Sequence, residues 1–248
     1  MSPAPSPGDP LAGTFGRAEV APDARRAMIR ATFEGVARRY DLMNDLMSLG
    51  IHRLWKDRFV RLAAPRPGEI ALDLAGGTGD VAFRLAKSGA AVSVVDPSAA
   101  MMEVGRARPE GASVAWVEAE AEALPFPDAH ADLVTIAFGI RNVTHLDAAL
   151  AEIHRVLKPG GRFLCLEFSR AHWWLRPIYD LWSKTAIPVL GTVVSGRTEA
   201  YRYLIESIGR FPDQPTFAAH VRDTGFTEVA WDDLSFGISA IHHGRKAG

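Results

Sequence analysis

The chain has 248 residues, 48% of them hydrophobic, and 28 Lys and Arg set against 29 Asp and Glu give a formal net charge of −1. That length suits one α/β domain with additions and a substantial buried core, and the near-neutral charge gives no support to nucleic-acid binding, which usually carries a strong basic excess. A single cysteine, Cys165, excludes an intramolecular disulfide and fits a reducing, cytoplasmic setting.

Residues 1–24, rich in Pro, Ala and Gly, are expected to form a disordered tail, with no charged and apolar leader pattern; residues 25–248 are expected to form a single domain. From Arg25 to Ala64 apolar residues recur at helical spacing: Ile29, Phe33, Val36, Ala37 and Tyr40, then Leu54, Trp55, Phe59 and Leu62. Asn44 to Gly50 bends the path between these N-terminal helices (25–64). Ile70 to Ala75 reads as a buried strand, closed by Gly76-Gly77-Thr78-Gly79 and followed by a helix from Asp80 to Lys87. A second strand, Ala91 to Asp96, precedes a helix from Ser98 to Arg106. Val114–Glu118, Leu133–Phe138 and Arg162–Phe168 read as further strands, with Cys165 buried in the last. A helix from Leu146 to Leu157 should stop at Lys158-Pro159-Gly160-Gly161. Residues 170–210 interrupt the rhythm with Trp173, Trp174 and Trp182 and read as a helical insertion or lid; the apolar run Ala186–Val194 holds Pro188 and Gly191 and is about half the length of a spanning helix. A helix at Gln214–Thr224 and strands at Thr227–Leu234 and Ile238–His243 complete the chain. Strands alternating with helices predict an α/β fold with a doubly wound, mostly parallel sheet.

A strand, a tight glycine turn and a helix are how such a sheet receives a nucleotide: glycines let the backbone approach the ligand beyond the carboxyl ends of the strands. Asp96 closes the next strand, where a carboxylate can accept hydrogen bonds from two ribose hydroxyls; the competing reading is an Asp-Pro turn that caps the following helix. A dehydrogenase would show G-x-G-x-x-G, which Gly76-Gly77-Thr78-Gly79 does not match. Asp73, three residues before the first glycine, suits the methyltransferase form, D-x-x-G-G-x-G, and can reach the loop or the amino-acid part of the cofactor. No His/Cys spacing suits a metal, and His242-His243 is expected at a strand end near solvent.

Several stretches resemble the ubiquinone/menaquinone biosynthesis C-methyltransferase family, a class I S-adenosylmethionine-dependent group. They are Asp73-Leu74-Ala75-Gly76-Gly77-Thr78-Gly79-Asp80, Phe138-Gly139-Ile140-Arg141-Asn142-Val143, Tyr201-Arg202-Tyr203-Leu204, Tyr40-Asp41-Leu42-Met43-Asn44-Asp45, Gly50-Ile51-His52-Arg53-Leu54-Trp55-Lys56 and Arg155-Val156-Leu157-Lys158-Pro159-Gly160-Gly161. The resemblance runs from about residue 30 to 246. It implies a seven-stranded sheet, S-adenosylmethionine as cofactor with S-adenosylhomocysteine as product, and methyl transfer to a ring carbon of a polyprenylated quinol: a demethylmenaquinol, a 2-methoxy-6-polyprenyl-1,4-benzoquinol, or both. By position, Thr78, Asp96 and the pair Glu120-Ala121 should contact the cofactor, with Asp73, Gly76, Gly77 and Gly79 shaping its loop. Glu120 stands where relatives often have Asn, and Ala137 stands where a serine hydroxyl is found in relatives, so no side-chain hydrogen bond is expected from Ala137.

A quinol carbon becomes a nucleophile as its hydroxyl loses its proton, and the enzyme must align it with the sulfonium methyl and exclude water. Arg141, Asn142 and Tyr40 are the candidate catalytic residues. Arg141 would stabilise a developing quinolate while Asn142 and Tyr40 orient the hydroxyl or a water; the competing readings are a loop-fixing salt bridge for Arg141 and helix packing for Tyr40. A general-base role for Arg141 conflicts with its guanidinium pKa, above about 12. Asp41 and His52 are alternative bases, although His52 equally suits a helix cap. The tryptophans and arginines of 170–210 suit a polyprenyl tail and peripheral contact with the inner face of a membrane, or else a lid, a homodimer or a quinone-synthesis complex. Other readings are methylation of a different small acceptor and a non-catalytic adenosyl-binding scaffold.

Overall fold

The computed structural model describes residues 14–15, 18–35, 45, 48, 50–177 and 198–248. Two short strands, β1 (Thr14–Phe15) and β2 (Ala18–Glu19), pair antiparallel ahead of helix α1 (Pro22–Glu34). Strand and helix backbone therefore begins within residues 1–24. Pro22 at the first helical position, with φ pre-set for a helix, starts α1 three residues before Arg25.

Helix α2 (Ile51–Ala63) leads into β3 (Ile70–Leu74), α3 (Asp80–Ala86), β4 (Ala91–Asp96), α4 (Ala99–Arg106), β5 (Ala115–Glu118) and β6 (Ala131–Ala137). Then follow α5 (Leu146–Val156), β7 (Leu157–Phe168), α6 (Thr198–Arg210), α7 (Gln214–Asp223), β8 (Phe226–Leu234) and β9 (Ser239–Lys246). The seven long strands form one sheet in the order β5-β4-β3-β6-β7-β9-β8. β5 through β7 run parallel, and β9 enters antiparallel to both β7 and β8. The expected doubly wound, mostly parallel sheet is thus present, with its reversal in the terminal strand pair.

Both faces of the sheet are covered, so the strands read as continuous apolar runs whose successive side chains feed two cores. Phe163 and Cys165 of β7 point into one, with Leu72, Leu74 and Ile136 and with Leu146, Leu150 and Ile153 of α5. Leu164 and Leu166 point into the other, with Val92, Val94, Leu133 and the Trp55, Phe59 and Ala63 stripe of α2, which recurs every four residues. Cys165 is fully buried, as expected, and burial pushes its thiol pKa well up.

The Lys158-Pro159-Gly160-Gly161 stretch stops α5 at Val156 yet belongs to β7 instead of a loop before it. Ala131 pairs with Leu157 while Leu133 pairs with Arg162, so the extra residues bulge out of the ladder, with Gly160 at φ 76°. His242 is a correction: it is 1% exposed, its Nε2 meets the Gln214 carbonyl at 3.0 Å, and burial lowers its pKa to about 4. The inward side of β9 packs under α7, which a two-residue period alone does not reveal.

From β3 the chain steps outward through β4 to β5, then returns to β6 on the other side of β3. The crevice at this switch point, beyond the carboxyl ends of β3 and β6, is where such a sheet takes its ligand.

Candidate active site

A cavity of about 1110 Å³, open mouth included, occupies that crevice. Gly76, Gly77 and Thr78 line it, with Asp73 and Ala75 from the end of β3, Asp96 from the end of β4, and Glu120 and Ala121 beyond β5. Ala137, Phe138, Gly139 and Asn142 close it from the β6 side, and Ile29, Arg30 and Phe33 from α1.

The glycine turn is tight for identifiable reasons. Gly77 has φ 53°, in the left-handed region that side chains disfavour. A Cβ on Gly76 would lie 2.9 Å from both the Asp73 carbonyl oxygen and Val94 Cγ1. Gly79 does not line the cavity; it starts α3 at φ 84° and donates its N–H to the Gly76 carbonyl at 2.8 Å. Asp96 binds the turn from the neighbouring strand, its Oδ2 accepting from Gly77 N–H at 2.8 Å and its Oδ1 from Ser98 N–H at 2.8 Å. The Ser98 bond closes the Asp-Pro turn, and the same carboxylate faces the cavity. Burial pushes its pKa up to about 6; the two amides pull it down, and Glu120 adds to the rise. Glu120, whose pKa burial also raises, stands 3.6 Å from the Arg30 guanidinium of α1.

Asp73 is 1% exposed. Thr135 of β6 donates its hydroxyl to Asp73 Oδ1 at 2.8 Å, but burial dominates and carries the carboxyl to about 7. Beside it, Lys56 of α2 donates to Asp80 Oδ2 at 2.7 Å, and both residues line the cavity. Burial works to raise Asp80, yet Lys56 and Arg84 outweigh it and hold the carboxyl below its ordinary value. One helical turn away, His52 meets Ser48 Oγ through Nδ1 at 2.8 Å, and burial followed by Lys56 lowers it to about 4. A histidine held neutral that firmly, and absent from the cavity lining, is a poor general base. Of the two alternative bases, Asp41 lies outside the described residues, as does Tyr40.

The Arg141 loop departs from the expectation in an informative way. Phe138 leaves β6 at φ 57°, an uncommon left-handed bend for an aromatic residue, so the chain turns back on itself. Arg141, 3% exposed, then points away from the cavity: Nη1 donates to Glu167 Oε1 at 2.6 Å and to the Phe138 carbonyl at 2.7 Å, and the guanidinium lies 5.6 Å from the Phe168 ring centroid. Glu167, 1% exposed, keeps a raised pKa through burial although Arg141 opposes it. This geometry is that of the loop-fixing salt bridge. Asn142 does line the cavity, with its Oδ1 accepting from the Tyr203 hydroxyl at 3.0 Å. Tyr203 belongs to α6, so the end of the insertion is tied to the site.

Sequence reading missed the residues that fasten α1 across the opening. Arg25, only 2% exposed, donates to the carbonyls of Val143 at 2.6 Å, Asn142 at 3.1 Å and Arg141 at 3.2 Å. Arg26 reaches Thr144 Oγ1 at 3.2 Å. Nothing local marks these arginines, since their partners lie more than a hundred residues away. Thr135 and Glu167 were also missed, each sitting inside what reads as an ordinary buried strand.

A seven-stranded sheet in this order, with a glycine turn after its first crevice strand and an acid closing the second, defines the class I methyltransferase fold. Solved structures share it: a S-adenosylmethionine-dependent methyltransferase of Thermotoga maritima superposes with a TM-score of 0.63 at 21% identity, covering 88% of this chain and 99% of that one. Haemonchus contortus phosphoethanolamine N-methyltransferase 2, solved with S-adenosyl-L-methionine, gives 0.60 at 16% identity over 78% of this chain and 52% of that one. The chain belongs to the ubiE/COQ5 methyltransferase family, which it matches over residues 21–246. It is similar to the ubiquinone/menaquinone biosynthesis C-methyltransferase UbiE of Rubrivivax gelatinosus, 59% identical over 238 residues, 96% of this chain and 94% of that protein. The protein of the same name from Acidiphilium cryptum is 50% identical over 93% of this chain and 95% of its own length.

Proposed function

We propose that this protein transfers a methyl group from S-adenosylmethionine to a ring carbon of a polyprenylated quinol, with the cavity at the β3–β6 crevice as its active site. The observation that carries the reading is the Gly76-Gly77 turn braced by Asp96: it leaves no room for a Cβ at Gly76 and presents a cavity-facing carboxylate within a family of methyltransferases. The residues present fit the cofactor. Each Asp96 oxygen accepts one backbone N–H and retains capacity for a ribose hydroxyl. Glu120 and Ala121 would hold the base, and Thr78, Gly76 and Gly77 the chain between ribose and amino acid. Bound there, S-adenosylmethionine supplies an electrophilic methyl on a positively charged sulfur.

The protein's own groups hold and shield. Asn142, oriented by Tyr203, offers its amide N–H to a quinol hydroxyl. Arg141, anchored by Glu167, is a positioning residue that fixes the loop carrying Asn142, and α1 covers the opening and keeps water out. Donor carrying a 13C methyl, incubated with the protein and a short-tailed demethylated quinol kept reduced, should place the label on a ring carbon by NMR. Label on an oxygen, or none on the acceptor from protein that binds the donor, overturns the quinol reading.

A peripheral contact with the membrane, where such an acceptor resides, is part of the same proposal. No helix among the described residues is long and apolar enough to cross a membrane. Trp173 is 85% exposed, and Phe236, 58% exposed, stands on a turn of positive φ with its ring 5.1 Å from Trp174. Aromatic rings with one wet edge suit the interfacial zone of a bilayer. Flotation with anionic vesicles should carry the native protein upward and leave a Trp173→Ala, Trp174→Ala, Phe236→Ala variant behind; equal flotation, or a dimer that the triple change dissolves, counts against it.

A further inference from the structure

We propose that Lys56 binds the carboxylate of the donor's methionyl end, and so selects an amino-acid-bearing adenosyl compound over one that lacks it. This rests on the donor reading above and adds a residue that the glycine motif does not contain. Lys56 lies in α2, 6% exposed, on the wall of the cavity that Asp73, Gly76, Thr78 and Asp80 also line. An ammonium is costly to bury and carries three donors. Among the described residues it makes one hydrogen bond, to Asp80 Oδ2 at 2.7 Å. Asp80 also accepts from Arg84 at 3.3 Å, so its charge is shared between two cations and does not fully occupy Lys56.

The charges around the cavity fall into two groups. Lys56 acts on Asp73, Asp80 and His52, whereas Asp96 feels Glu120, and Glu120 feels Glu122, Arg26 and Arg30. The Asp96 group suits a sugar and a base. The other pairs an ammonium with a carboxylate that is itself buried and faces the cavity, complementary to a zwitterion: the ligand's α-ammonium beside Asp73 and its α-carboxylate on the remaining N–H bonds of Lys56. The α1 arginines do not fill this role, since Arg25 is committed to three carbonyls, Arg26 to Thr144 and Arg30 to Glu120.

Calorimetric affinities test it with two probes, S-adenosylhomocysteine and 5′-methylthioadenosine, the second being an adenosyl thioether without the amino acid. Lys56→Met should weaken S-adenosylhomocysteine by roughly 10- to 100-fold, the range of a charge-assisted hydrogen bond, and shift methylthioadenosine by less than about threefold; Lys56→Arg should restore most of the loss. Equal weakening of both probes, which a role confined to folding would give, overturns the assignment, as does unchanged affinity for S-adenosylhomocysteine. Native protein that binds neither probe overturns the donor reading and this assignment with it.

Discussion

Asp73 offers the sharpest physical test of the site, because its carboxyl is buried where its charge is useful only once a cation arrives. The folded protein holds it at about 7 against an ordinary 3.8, with burial the leading cause. The sign follows from proton binding. Below pH 4 the group is protonated whether the chain is folded or not, and no cost arises. Between pH 4 and 7 the unfolded chain gives up the proton while the folded chain keeps it, so stability falls; above pH 7 both are ionised and the cost is constant. At about 1.4 kcal/mol per pH unit, a gap of about 3 units caps that cost at about 4 kcal/mol. Asp73→Asn keeps an acceptor for the Thr135 hydroxyl and abolishes the titration. Urea unfolding of the ligand-free protein should therefore show the variant's stability, relative to native, rising by up to about 4 kcal/mol from pH 4 to 8. The same variant should bind S-adenosylmethionine more weakly at pH 8. A stability difference that stays flat with pH would refute the reasoning, since Asp73 would then not be the buried, raised carboxyl described.

Three further outcomes follow from other parts of the site. Arg25→Leu removes three hydrogen bonds to the carbonyls of residues 141–143 and should cost about 2–3 kcal/mol in denaturant midpoint at unchanged slope, with α1 cut faster in limited proteolysis; an unchanged midpoint would mean that α1 is not pinned this way. Glu167→Leu leaves the Arg141 guanidinium buried without its counter-ion and should cost about 3–5 kcal/mol, while adding Arg141→Met should recover most of it; a double variant no better than the single one would contradict the pairing. Gly76→Ala forces a Cβ to within 2.9 Å of Asp73 O and Val94 Cγ1 and should cost about 1–3 kcal/mol in thermal unfolding, with donor binding lost; native affinity in that variant would mean that the turn is not the cradle.

The sequence carried most of the sheet because both of its signals are local. Short apolar runs marked β3, β4, β6 and β7, and Gly76-Gly77-Thr78-Gly79 marked the turn between β3 and α3. Ser98, just outside α4, is the cap and accepts the Met101 N–H through its side chain, whereas the sequence offered the Asp96-Pro97 turn as the cap of a helix beginning at Ser98. What stayed hidden depended on partners far along the chain. Arg141 read as a cavity group because it follows a strand end, yet the left-handed bend at Phe138 turns the loop and Glu167 captures the guanidinium. Phe138 is an aromatic residue at a φ that glycine normally takes, so nothing in its identity announced the bend. The early start of α1 went unread for the opposite reason: a tail rich in Pro and Ala resembles disorder until Arg25 finds three carbonyls on the far side of the domain.

Equilibrium titration of the folded protein with S-adenosylmethionine bears on all of this most directly. Saturation at one donor per chain is expected, lost in Asp96→Ala and retained in Asp147→Ala, whose side chain pairs with His220 away from the cavity. Saturable binding that survives Asp96→Ala undiminished, or no binding by native protein, would contradict the account.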